Sequence, residues 1–284
     1  MTDYFAQIVQ RLAKSGIESP RLEARILLAH VLNCEADGIF TGINISPENM
    51  QKVEILLQQR LAHKPIDKII GKRAFYKAEF KVNEQVLSPR PDTEILVETA
   101  LKYMQNTKNP HILDLGTGSG CIIETLLQEI PSATATAVDI SADALQIAQE
   151  NADMLNVSER LSLINADWFE TDFPVQINDS FDMIVSNPPY IPTDQIAELD
   201  TEVKKYDPLL ALDGGMSGLD SYRRIAEIAP KLLKDNGYIL LEAGIGKAAE
   251  IRDIFLIAGL QYVATVRDLS DIERCVIMQK QLHK

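Results

Sequence analysis

Apolar residues recur at two different spacings along the chain, and the spacing changes near residue 72. Before that point they fall at helical intervals. Tyr4 to Lys14 carries Phe5, Ile8, Val9 and Leu12 at helical spacing, and Gly16 stands where that helix would end. Pro20 opens a second helix with Leu22, Ile26, Leu27, Ala29 and Val31 expected on one side. Ser46-Pro47-Glu48-Asn49 reads as a third helix start, with Ser46 as N-cap, Pro47 in the first turn and Asn49 at the third helical position. Val53, Leu56, Leu57 and Leu61 then share one face. No strand signal interrupts residues 1–72, so a small helical bundle is expected there.

From Lys72 the pattern becomes aromatic and roughly alternating, Ala74-Phe75-Tyr76-Lys77-Ala78-Glu79-Phe80-Lys81-Val82, which predicts a β-hairpin linker over 73–88. Arg90-Pro91-Asp92-Thr93-Glu94 opens a helix running to about Met104. After Pro110 strands and helices alternate. Strands are expected at 111–115, 134–140, 161–166, 181–186, 238–243, 262–267 and 274–279, and helices at 119–130, 142–155, 218–234 and 246–258. Such alternation implies an α/β fold whose mainly parallel sheet is covered on both faces. The link from Asp268 to Glu273 is too short for a parallel crossover, so the final strand is expected to be antiparallel. Residues 89–284 form the expected larger domain.

Composition narrows the class. The 284 residues are 46% hydrophobic and 24% charged, an ordinary globular balance. A formal charge of −13 argues against a free-standing nucleic-acid binder, which gains affinity by neutralising phosphates, although it leaves room for a local basic groove. The same charge fits docking onto a basic partner, or solubility alone. Cys34, Cys121 and Cys275 are scattered and odd in number, the four histidines do not cluster, and no metal-ligand spacing occurs. The cysteines read as reduced residues of a cytoplasmic protein. Met1-Thr2-Asp3-Tyr4 lacks the features of a signal peptide, and no apolar run approaches the roughly 20 residues that span a bilayer. A monomer that uses no metal and no membrane is expected.

Candidate chemistry gathers at the carboxyl ends of the predicted strands. Ile112-Leu113-Asp114-Leu115 runs into Gly116-Thr117-Gly118-Ser119-Gly120, a turn that lets backbone approach a ligand closely. Alone this is a weak signal, shared with dinucleotide-binding turns. The next strand ends in Asp139, suited to a ribose diol in either class. The third ends in Asp167-Trp168, an acid for an exocyclic amine and an aromatic for the face or edge of adenine. The alternative for Trp168, the only tryptophan, is a core anchor. No G-K-[ST] ending follows the glycines, so a P-loop is excluded. Asp114 would repel a pyrophosphate but suits a cation, facing the sulfonium side or the methionine amine of S-adenosylmethionine.

The fourth strand runs straight into Asn187-Pro188-Pro189-Tyr190, the most specific feature of the sequence. An amide or aromatic amine nitrogen is a poor nucleophile because its lone pair is delocalised. The Asn187 side-chain oxygen and the Pro188 carbonyl offer two acceptors for its N–H groups. The prolines fix φ, so the loop is pre-organised. Tyr190 offers a flat ring for a planar group. Asn187-Pro188 alone would be a common loop signal, but the run of four follows a Gly turn and two acidic strand ends. Methyl transfer to a planar nitrogen, driven largely by positioning, is the expected chemistry.

These motifs, together with Ile70-Gly71-Lys72-Arg73-Ala74-Phe75-Tyr76 and Leu87-Ser88-Pro89-Arg90-Pro91-Asp92-Thr93-Glu94, resemble the release factor glutamine methyltransferase (HemK/PrmC-like) family over essentially the whole chain. Arg90 to Glu94 discriminates best against other enzymes with the same four-residue loop. The resemblance implies a Rossmann-like class I methyltransferase sheet behind a helical N-terminal docking domain. It implies S-adenosyl-L-methionine as cofactor and a class I peptide chain release factor as protein substrate. The target would be the glutamine of its Gly-Gly-Gln motif. By carry-over Gly116, Thr117, Gly118, Ser119, Gly120, Asp139, Trp168 and Asn187 bind the cofactor, and Asn187, Pro188, Pro189 and Tyr190 hold the glutamine. The chain departs from the family where Gly71-Lys72-Arg73-Ala74-Phe75 replaces a common Gly-Glu-Arg-Glu-Phe, which touches the docking surface more than the chemistry. The competing reading is an amino-methyltransferase acting on a nucleic-acid base. It would need a basic groove, which the charge disfavours.

Overall fold

A computed structural model describes residues 4–39 and 44–282; Met1-Thr2-Asp3, read above for a signal peptide, lies outside them. In chain order the helices are α1 (Tyr4–Lys14), α2 (Pro20–Leu32), α3 (Pro47–Leu61), α4 (Ile66–Ile70), α5 (Glu94–Met104), α6 (Cys121–Glu129), α7 (Ala142–Met154), α8 (Phe173–Ile177), α9 (Thr201–Tyr206), α10 (Asp220–Leu232) and α11 (Ala248–Ile257). The strands are β1 (Lys72–Phe75), β2 (Ala78–Lys81), β3 (His111–Leu115), β4 (Thr134–Asp139), β5 (Leu161–Asn165), β6 (Phe181–Ser186), β7 (Leu233–Glu242), β8 (Gln261–Arg267) and β9 (Glu273–Gln279).

Two compact units emerge, Met1–Lys72 with Asp200–Tyr206, and Arg73–Leu199 with Asp207–Lys284. In the first, the helical spacing buries Phe5, Ile8 and Leu12 of α1 with Ala24, Leu27 and Leu28 of α2 and Val53 and Leu57 of α3. Leu22, expected on the apolar side of α2, is exposed. Ser46 Oγ accepts from Asn49 N at 3.3 Å, an N-cap that satisfies one orphan donor of α3. Arg60 is buried, and its charge is met by Glu23 at 2.5 Å and by Glu202 at 2.7 Å. The short α9 belongs to this unit, and Lys68 Nζ donates to its Tyr206 carbonyl at 2.6 Å.

The second unit is built on a seven-stranded sheet of order β5-β4-β3-β6-β7-β9-β8. β3, β4, β5, β6 and β7 run parallel, and β9 is antiparallel to both its neighbours. Both faces are buried, which explains the near-continuous apolar strands. Leu113, Ile184, Ile239 and Leu241 face a core closed by Tyr222, Ile225 and Phe255, while Ile112, Met183, Val185 and Leu240 face one closed by Leu96, Val97, Ile123 and Leu126. β1 and β2 are joined by two residues, with Tyr76 at φ 55°, and so form a hairpin. Phe75 and Phe80 anchor it, ring centroids 6.0 Å apart, in the second core. Among the described residues no helix is long and apolar enough to cross a membrane.

Candidate active site

Chain order reverses at β3, with β4 and β5 on one side and β6 and β7 on the other. Such a switch point opens a crevice at the carboxyl ends of the strands. A cavity of about 590 Å³ lies there. Its walls come from residues 85–90, the Gly116–Ser119 turn, Asp139–Ser141, Ala166–Phe169, Asn187, Pro189 and the 208–215 segment.

The glycine turn is held from below, since Gly116 N and Thr117 N both donate to the Val138 carbonyl, at 2.9 and 3.1 Å. Gly116, Gly118 and Gly120 adopt φ of 78°, 55° and 82°, a left-handed path that glycine takes without steric cost. Asp139 Oδ2 accepts from Gly118 N and Oδ1 from Ser141 N, each at 2.9 Å, so one carboxylate ties the turn to the start of α7. Burial raises its pKa, and these N–H donors pull it back. Trp168 reaches the same wall and also packs on the first sheet core. Neighbouring Asp167 caps its own loop, Oδ1 accepting from Phe169 N at 2.8 Å.

Beneath the turn, Asp114 is fully buried, and among the described residues its carboxylate oxygens, Thr117 Oγ1 and Ser119 Oγ make no well-formed hydrogen bond, although the Thr117 hydroxyl lies near enough to Asp114 to pull its pKa down. Burial pushes the Asp114 carboxyl up to about 7. Buried polar atoms of this kind are rare in native folds, and together they fit a polar, cationic ligand group at this turn.

Asn187 lines the cavity, and its Nδ2 donates to Thr93 Oγ1 at 3.3 Å. Among the described residues its Oδ1 makes no hydrogen bond. Thr93 Oγ1 in turn donates to Glu242 Oε2 at 2.6 Å, and both of these residues are buried. Pro189 lines the same cavity, whereas Pro188 is buried and does not. Tyr190 lies in a small adjoining recess with Leu87, Arg90 and Asn187. The loop is fastened to a glycine-rich segment: Ile191 N donates to the Leu212 carbonyl at 3.0 Å and Gly214 N to the Ile191 carbonyl at 2.9 Å. A Cβ on Gly214 would stand 2.8 Å from the Pro189 carbonyl oxygen, so only glycine fits that close approach.

The cavity therefore gathers Gly116, Thr117, Gly118, Ser119, Asp139, Trp168 and Asn187 from four separate segments. Gly120, the N-cap of α6, does not itself line the cavity but lies between Ser119 and Cys121, which do. Sequence reasoning missed Thr93, Glu242 and the rim formed by exposed Leu209 and Leu210. The glycine cluster Gly214-Gly215 and Gly218 was the visible signal for the last of these segments.

Comparisons with known proteins agree with this architecture. Residues 3–71 match the model of the PrmC N-terminal domain, and residues 91–203 match the methyltransferase small domain. The chain is 38% identical over 273 residues to the release factor glutamine methyltransferase of Rhodospirillum rubrum, covering 95% of this chain and 82% of that one. It is 40% identical to the bifunctional methyltransferase of Rickettsia prowazekii over 94% of this chain, and spans about half, 54%, of that protein's length. Among solved structures, a methyltransferase from Pyrococcus furiosus shares the fold with a TM-score of 0.52, at 16% identity over 82% of this chain and 98% of that one.

Proposed function

Since the chain belongs to the release factor glutamine methyltransferase family, we propose that it methylates the side-chain amide nitrogen (N5) of the glutamine in the Gly-Gly-Gln motif of class I peptide chain release factors, modulating translation termination. The observation that carries this reading is the state of Asn187. Its amide NH2 is engaged by Thr93, and its Oδ1 is left without a partner on the cavity wall.

S-adenosyl-L-methionine, when bound, supplies the electrophilic methyl group. Asp139 is the residue for its ribose hydroxyls, Trp168 and Asp167 for its adenine, and Asp114 with Thr117 and Ser119 for its cationic end. The remaining work belongs to the loop. Asn187 Oδ1 and the Pro188 carbonyl accept the two N–H groups of the substrate amide, which orients the nitrogen and favours the positive charge that grows on it during transfer. Proline-fixed φ angles keep both acceptors in place without reorganisation. Tyr190 gives the planar amide a flat surface. The exposed Leu209, Leu210, Phe169 and Ile140 give the cavity an apolar rim that an entering peptide loop would cover, excluding water. Two glycines ahead of the target glutamine keep such a loop thin enough to enter.

Mass spectrometry of a Gly-Gly-Gln release factor incubated with the enzyme and S-adenosylmethionine tests this directly. One added methyl on that glutamine is expected. Labelled methyl appearing on DNA or RNA, with the release factor unmodified, would overturn the reading.

A further inference from the structure

A side-chain amide has two nearly isosteric faces, and a half-turn exchanges its oxygen for its nitrogen. Only one face of Asn187 can accept a hydrogen bond from a substrate N–H. The pair behind it decides which face that is. Thr93 has a single hydroxyl hydrogen, and that hydrogen is committed to Glu242 Oε2 at 2.6 Å. An ionised Glu242 can only accept, so Thr93 is left with lone pairs toward Asn187 and can only accept in turn. The Asn187 NH2 must then face Thr93, as it does at 3.3 Å. The reversed amide would set Oδ1 against the Thr93 lone pairs. Thr93 and Glu242 are 2% and 1% exposed, so water does not scramble this direction.

We propose that Glu242 and Thr93 are positioning residues that fix the Asn187 amide in the one orientation presenting its oxygen to the substrate nitrogen. The proposal rests on the reading of Asn187 as an acceptor for that nitrogen. Burial raises the Glu242 carboxyl to about 7, against the pull of Thr93, Arg90 and Arg274, with Asp92 adding to the rise. The relay is accordingly to be read at pH 8, where the carboxylate form predominates. Glu242 lines no part of the cavity wall, so its effect on substrate is indirect.

The test uses the full chain with a Gly-Gly-Gln release factor at pH 8. Thr93→Val keeps the shape and deletes the hydroxyl. Glu242→Gln keeps the shape but removes the charge and can offer Thr93 either a donor or an acceptor, so the relay loses its enforced direction. Each is expected to lower kcat about tenfold, equivalent to about 1.4 kcal/mol of lost transition-state stabilisation. For Glu242→Gln, which lies off the cavity wall, cofactor affinity by calorimetry and the substrate KM should stay unchanged. Thr93→Ser, which keeps the hydroxyl, should restore most of the turnover. The side-chain amide resonance of Asn187, assigned by its loss in Asn187→Asp, should move in the first two variants and not in Thr93→Ser. Unchanged kcat in Glu242→Gln or in a folded Thr93→Val, or equal losses in Thr93→Ser and Thr93→Val, overturns the proposal. If the wild type leaves glutamine unmethylated, the substrate reading fails and the resonance alone decides. A moved signal then upholds the relay, and an unmoved one removes it.

Discussion

Gly116 carries two constraints at once. Its φ of 78° is disfavoured for any residue with a Cβ, and a Cβ built there would stand 2.9 Å from Trp168 Cη2. Gly116→Ala should therefore lose about 1–3 kcal/mol of stability from backbone strain, with further loss from displacing the indole. In a Trp168→Ala background the displacement disappears and the strain stays. A thermal-melt double-mutant cycle should show the glycine substitution costing less there; strictly additive losses would mean that the indole yields freely. Trp168→Ala alone should weaken S-adenosylmethionine binding, and unaltered affinity in calorimetry would reduce this residue to a core anchor. Asn187→Ala should separate binding from chemistry. Cofactor affinity should fall several-fold at most, while methyl transfer is abolished; unchanged turnover would remove Asn187 from the mechanism.

Elements are held in register around the site by a few buried polar side chains, of which Asn151 on α7 does the most. Its Oδ1 accepts from Lys81 N at 2.7 Å, and its Nδ2 donates to the Lys81 and Ser119 carbonyls at 3.1 and 2.9 Å. One amide thus joins the β1–β2 hairpin, α7 and the glycine turn. Asn151→Leu would leave three backbone groups unpaired at a fully buried position, so a loss of about 3 kcal/mol or more is expected in chemical denaturation. A loss under about 1 kcal/mol would show that water replaces the amide. Asn151 was silent in the sequence, because one asparagine on a helix carries no periodicity. Elements with a strong period were legible: strands expected at 111–115 and 181–186 have those bounds in the structure. The five-residue α8 and six-residue α9 were not, being too short to show a helical repeat. β7 begins at Leu233, five residues before the expected 238, and its pairing with β6 is irregular between Phe181 and Met183. The candidate cavity was legible where its lining residues sit at or just beyond the carboxyl ends of predicted strands, as Gly116, Asp139, Trp168 and Asn187 do. It was illegible where partners meet only in three dimensions, as Thr93 and Glu242 do across 149 residues.

For the whole molecule the formal charge is −13, and among the described residues three carboxyl groups that are less than 2% exposed have raised pKa values. Asp114 and Glu242 are pushed up to about 7 and Glu124 to about 9, in each case mainly by burial. Glu124 has no hydrogen-bond partner on either oxygen, and the charges of Asp114 and Asp153 raise it further. A raised acid favours the folded state while it is protonated. Its contribution is complete below the unfolded value, near 4.5 for Glu124, and is lost as pH climbs through the folded value, about 9. Stability should fall steadily from about pH 5 to pH 9. Surface carboxylates held low by partners, such as Glu54 against Arg11, contribute in the opposite sense but only at more acidic pH. Glu124 does not line the cavity, so its variant isolates the stability effect from the chemistry. Glu124→Gln cannot ionise, so it should leave Tm at pH 5 close to wild type, raise it by several degrees at pH 8.5 and flatten the curve between. A Tm difference of equal size at both pH values would mean that the substitution acts through packing, and that burial of an ionisable acid is not what limits the fold.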